Sequence, residues 1–148
     1  MRDKRFIAEH RGGLLSKEHH LLLTKWACKC SKHVFSLLDD SIKKQLQIAL
    51  DIGNKWITGK ASVGDARKAS VEAIHLANEL IDPISISAAR SVGHAVATAH
   101  MADHSLGAAW YALKAVHNAG KPTETERNWQ DKQLPLDIKE LVLSARKD

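Results

Sequence analysis

A chain of 148 residues, 44% hydrophobic and 26% charged, can bury a core without disulfides or metal staples and has the make-up of an ordinary globular protein. No run approaches the roughly 18 apolar residues needed to span a bilayer, which excludes a helical membrane protein. The net charge of +5 is carried by residues 1–33, where eight Lys and Arg stand against Asp3, Glu9 and Glu18.

In chain order almost everything reads as helix. The opening MRDKRFIAEHRGG has basic residues but no apolar signal core, so a cytoplasmic protein is expected. After the Gly12-Gly13 break, Ser16 fits an N-cap. Leu22, Trp26, Cys30, Val34 and Leu37 then recur at spacings of three and four, which marks one apolar helical face. Glu18, His19 and His20 read as its solvated side. Cys28 and Cys30 point about 200° apart on such a helix and cannot pair, and Cys-x-Cys is not a zinc spacing. Free buried thiols are expected.

Asp39-Asp40 opens a second helix, with Ile42, Leu46, Ala49, Gly53, Trp56 and Ile57 on its stripe and Gly59 at its end. Ser62-Val63-Gly64-Asp65 has the form of a capping box, with Asp in place of the usual Glu or Gln. Ala66, Ala69, Ala73, Leu76, Ala77 and Leu80 give the third stripe. Pro83 separates it from a fourth helix of small residues, roughly 85–101. Asp103 looks like the cap of a fifth, with Leu106, Ala109, Trp110, Leu113 and Val116 facing inward and Gly120-Lys121-Pro122 as its stop. Thr123-Glu124-Thr125-Glu126 spells a capping box for a short sixth helix around Trp129. Pro135 suits the first turn of a seventh, which bears Ile138, Leu141, Val142 and Ala145.

No alternating β-branched run gives a strand. The expected fold is all-α: a compact bundle of about seven helices joined by short loops, in a single domain over 1–148. All four tryptophans fall on apolar stripes and read as core.

Two constellations carry possible chemistry. The first is His94, His100, Asp103 and His104 in the small-residue stretch HAVATAHMADHSLGAAW. A buried imidazole must find hydrogen-bond partners or do chemistry. His100 and His104 are four apart, and with Asp103 they are the alternative metal set, so the rival reading is a small metal-binding protein or metal-dependent hydrolase using His94, His100, Asp103 and His104; a helix break near Ala102-Asp103 spoils that geometry and no HExxH is present. The bland reading has Asp103 capping the fifth helix while the histidines bond across helix crossings. The second is Glu9-His10-Arg11 before Gly12-Gly13, where a double glycine permits positive φ or close backbone approach and the charged triplet faces a ligand. Neither is a phosphate loop or a nucleophile elbow, and no cofactor is expected.

The segments AEHRGGLLSKEHHLLLTKWACKCSKHV, SVGDARKASVEAIHLA, ARSVGHAVATAHMADHSLGAAWYALKAV and ERNWQDKQLP together resemble the immunity-protein-five-like family of bacterial polymorphic toxin systems. The resemblance spans nearly the whole chain and is most specific in EHRGGLLS and GHAVATAHMADHSLGAA. It implies a helical, non-catalytic protein whose partner is a cognate toxin. On that reading Glu9, His10, Arg11, His94, His100, Asp103 and His104 form a polar contact site or a polar network that holds the helices. Inhibitors of basic nuclease toxins tend to be acidic. A basic chain therefore points to a toxin that is acidic at its contact surface or is gripped by a neutral patch. Nucleic acid is not the expected partner, because the chain has no helix-turn-helix signature and no aromatic stacking surface.

Overall fold

Helix starts in this chain are set by short polar side chains, and the computed structural model, which describes residues 2–146, shows where they succeed. Among the described residues there are seven α-helices: α1 (Lys17–His33), α2 (Asp40–Ile57), α3 (Val63–Glu79), α4 (Pro83–Ala97), α5 (His104–Asn118), α6 (Thr123–Lys132) and α7 (Leu136–Ala145). Ser16 accepts the His19 N–H and Asp39 accepts that of Ile42, as expected of N-caps. Ser62 and Asp65 exchange both bonds of a capping box at 3.0 Å each. The all-α architecture read from the periodicity is the one observed.

Two helix starts differ from expectation. Thr123 is already helical and Pro122 holds the cap position, so no side chain caps α6. Glu126 does not reach back to form a box but bonds His33 Nδ1 of α1 at 2.6 Å. Asp103 stands at the cap position of α5 with αR angles, where its side chain cannot fold onto the next amides, and it caps nothing. The fourth helix also stops early. It ends at Ala97, where the Thr98 hydroxyl donates to the His94 carbonyl, and a tight turn leads to α5.

The small residues of α4 explain its place. Ser85, Ser87, Ala88, Ala89, Ser91, Val92, Gly93, Ala95, Val96 and Ala97 are all buried, and the helix packs against α1, α2, α3 and α5. Without long side chains the axes approach closely. The one hydroxyl chain across the centre is satisfied: Ser91 Oγ donates to the Ala108 carbonyl and meets Ser31 Oγ, both at 2.7 Å.

Helix α1 does not present the single face expected of it. Ala27 and Cys28 face the cluster built on α2–α5, while Leu23, Trp26 and Cys30 face a second cluster with Phe6, Leu15, Leu134, Ile138 and Val142. The wide angle between the two cysteines is thus used to serve two cores. Both thiols are free and buried, and burial pushes that of Cys28 up to about 12. Val34–Leu37 is a 3-10 turn, not a continuation of α1. Of the tryptophans Trp26 is core at 1% exposure, but Trp110 is 56% exposed, against expectation.

Ahead of α1 the chain folds back on itself. Short 3-10 turns at Lys4–Phe6 and Glu9–Arg11 are tied by a parallel bridge between Ala8 and Leu15. The double glycine uses both of its freedoms, one at each residue. Gly12 takes φ +85°, and a Cβ on Gly13 would sit 2.0 Å from the Ile7 carbonyl oxygen.

Candidate functional site

The N-terminal turn and the α4–α5 turn face each other across a cavity of about 320 Å³. Glu9, His10 and Arg11 line it from the first, and His100 lines it from the second. Two stretches some ninety residues apart in sequence therefore meet at one place. Arg2 also lines the cavity, and its guanidinium donates to both oxygens of Asp103 at 3.4 Å. This pair fastens the start of the chain to the start of α5, and it is the partner Asp103 has in place of a cap.

Sequence reasoning missed His20, Lys17 and Trp56 here. Beside Glu18 and His19 it reads as solvated, yet His20 is buried at 9% exposure. Its Nε2–H donates to the Thr98 carbonyl at 2.6 Å, and its ring lies 5.1 Å from that of Trp56. The signal was available in the spacing. His20, Thr24 and Ser31 sit on the same buried side of α1 as Ala27, the side that meets α4.

His94 and His104 lie apart from this cavity. Their Nδ1 atoms are 3.1 Å apart across the α4–α5 crossing, so one ring carries its proton on Nδ1 and donates to the other. They open, with His75 and Asn78 of α3, onto a second cavity of about 320 Å³. Gly107 makes room for them, because a Cβ there would lie 2.7 Å from His94 Nδ1. The His100 ring lies 5.7 Å from that of His104, so the histidine stretch puts one imidazole on the first cavity and two on the second.

Among the described residues no three His, Cys, Asp or Glu side chains are placed to hold a metal ion. His104 is bonded to His94, and Asp103 to Arg2, so the alternative set of His100, Asp103 and His104 does not converge.

Burial dominates the electrostatics. It pushes His20, His94, His100 and His104 below their ordinary value of 6.5. Nearby charge adds to this: His10, Lys17 and Arg11 act on His20, and Arg67, His104 and Arg11 act on His100. Opposing them are the Thr98 carbonyl at His20 and Asp103 at His104. The consequence for stability has a definite sign. As the pH falls through 6.5 the unfolded chain takes up protons that the folded chain resists. The unfolded state then binds more protons, and stability drops. The contribution is complete above 6.5 and is lost progressively below it, toward the lower folded-state values. Asp3, Asp65 and Asp82 are also held low, but they act below 3.8, outside this window. The expected result is a lower urea midpoint at about pH 5.5 than at about pH 7.5, with the difference reduced in His94→Gln. A midpoint unchanged between the two would mean the imidazoles are solvated.

The sequence has a counterpart among known families. Residues 13–137 match the family described as Imm-5 like putative immunity protein. The chain belongs to that family. No curated protein and no solved structure gives a match. Within the immunity-like match lie His94, His100, Asp103, His104 and the His20–Trp56 wall. Arg2, Glu9, His10 and Arg11 precede it, so one wall of the first cavity stands outside the matched range. None of the described helices is long and apolar enough to cross a membrane.

Proposed function

We propose that this protein binds a cognate toxin and silences it by covering the toxin's working surface, with no chemistry of its own. The family match over residues 13–137 carries the reading. The geometry supports a contact face around the first cavity, where Glu9, His10, Arg11 and the Arg2–Asp103 pair stand at the surface. The turn that presents them is pinned by the Ala8–Leu15 bridge, so little ordering entropy is spent on docking. His94 and His104 lie off this face, as a bonded pair that ties α4 to α5. The basic excess of residues 1–33 favours a toxin whose contact surface is acidic, since complementary charge speeds encounter and rejects wrong partners.

The deciding experiment is calorimetry against the product of the neighbouring gene, with growth rescue on co-expression. Expected are saturable one-to-one binding, rescue, and affinity that falls with added salt. Arg11→Glu should weaken the complex about tenfold or more by placing like charges face to face. Absence of binding, or binding that leaves toxicity unchanged, overturns the reading.

A further inference from the structure

We infer that the cavity between the N-terminal turn and the α4–α5 turn binds a small organic acid, its carboxylate held by Arg11, Lys17 and His100 and its apolar body lying against Phe6, Trp56 and Met101. This goes beyond toxin binding and does not depend on it.

Three observations lead there. The first is size and lining. At about 320 Å³ the cavity falls within the range of small-molecule sites, and it pairs apolar walls with a few polar groups. The second is unbalanced charge. Arg2, Arg11 and Lys17 line the cavity against one carboxylate, Glu9. Arg2 is engaged by Asp103, but among the described residues neither Arg11 nor Lys17 enters an ion pair. Arg11 makes itself felt at both His20 and His100, so the positive field reaches the cavity's histidines. The third is an orphaned polar atom. His100 Nδ1 is buried with no hydrogen-bond partner. A buried imidazole nitrogen left unpaired is costly, and His100 lines the cavity, so a turn of its ring toward a bound carboxylate would give a proton on Nδ1 the acceptor it lacks.

The apolar wall decides the class of anion. Phe6 is buried, and Trp56 packs its ring toward His20, so a bare inorganic ion would leave the aromatic side of the cavity unfilled. A carboxylate on a ring or short hydrocarbon satisfies both sides. A guanidinium and an imidazole N–H give charge-assisted bonds to such a group.

The test uses the isolated full-length protein and benzoate as the probe, followed by calorimetry and by the Trp56 indole N–H signal in two-dimensional NMR. Benzoate is expected to saturate a single site and shift the Trp56 signal. Benzyl alcohol, equal in shape but uncharged, and inorganic phosphate, charged but without a body, are each expected to bind at least about tenfold more weakly. Arg11 stands on an exposed turn, so Arg11→Gln leaves the fold intact and should weaken benzoate about tenfold. His100→Gln should weaken it as well. If benzoate does not saturate, if benzyl alcohol binds equally well, or if Arg11→Gln leaves affinity unchanged in a protein that melts normally, the proposal is overturned. Phosphate binding as tightly as benzoate would overturn the assigned class.

Discussion

Trp26→Ala will lower the stability of this protein by about 3–5 kcal/mol, the largest loss expected of any single truncation. Trp26 is the largest of the fully buried side chains and is 1% exposed. It fills the second cluster, where the N-terminal segment, α1, α5 and α7 meet. Removing it opens a void lined by Phe6, Ile138 and Val142 that relaxation cannot close without moving three elements. The side chain also carries a polar function. Its indole N–H donates to the Gln130 carbonyl at 2.9 Å, while the Gln130 amide donates to the Ala109 carbonyl and accepts from Arg146. The Arg146 guanidinium lies 5.5 Å from the Trp26 ring and pairs with Asp131, so α1, α5 and α6 and the end of α7 are joined around one indole.

Trp26→Phe separates the two contributions. It keeps most of the volume and loses the hydrogen bond. The Gln130 carbonyl still accepts from the Gln133 N–H, so the cost should be about 1 kcal/mol. Urea unfolding of both variants decides. An Ala variant within about 1 kcal/mol of the native chain would mean that α6 and α7 pack independently of the cluster around Trp26.

The positions legible in the sequence were those where local chemistry is sufficient. Ser16, Asp39 and the Ser62–Asp65 box cap helices because each side chain reaches amides two or three residues on, whatever surrounds it. The same logic misplaced Asp103 and Thr123 because a tertiary bond competed. Arg2 claims Asp103, and His33 claims Glu126. Periodicity found the face of α1 that holds Trp26, but it could not show that a helix in the middle of a bundle needs two. Trp110 sits on an apolar stripe by count and is exposed in space, beside Lys114. For the candidate site, residue type and spacing picked out Glu9-His10-Arg11 and the histidine stretch. That His100 turns toward the former while His94 and His104 turn away follows from the end of α4 at Ala97, which Thr98 sets with a bond back to the His94 carbonyl.

Gly13→Ala is expected to cost about 3 kcal/mol and to dismantle the first cavity, although the residue touches no ligand group. A Cβ at this position would stand 2.0 Å from the Ile7 carbonyl oxygen and 2.4 Å from its carbon. Backbone cannot rotate out of the way as a side chain can, so the two strands of the turn must separate. The bonds at risk are Gly13 N–H to Ala8 O, Leu15 N–H to Ile7 O and Glu9 N–H to Leu15 O, at 3.1, 2.9 and 3.0 Å. With them go the anchors Phe6 and Leu15, each 2% exposed, and the placement of Arg11 at the cavity that His100 also lines.

Gly12→Ala is the control. Its φ of +85° makes any side chain unfavourable there, but nothing lies within 4 Å, so only the conformational penalty of about 1–2 kcal/mol applies. Amide exchange at Glu9 and Leu15, together with benzoate titration, distinguishes the two. Gly13→Ala should lose protection and binding, and Gly12→Ala should keep both. If both variants keep native protection, the turn tolerates a side chain at Gly13 and the cavity wall does not depend on that contact. If both lose it, positive φ at Gly12 and not the approach to Ile7 holds the wall, and the cavity's formation rests on the conformation of a single glycine.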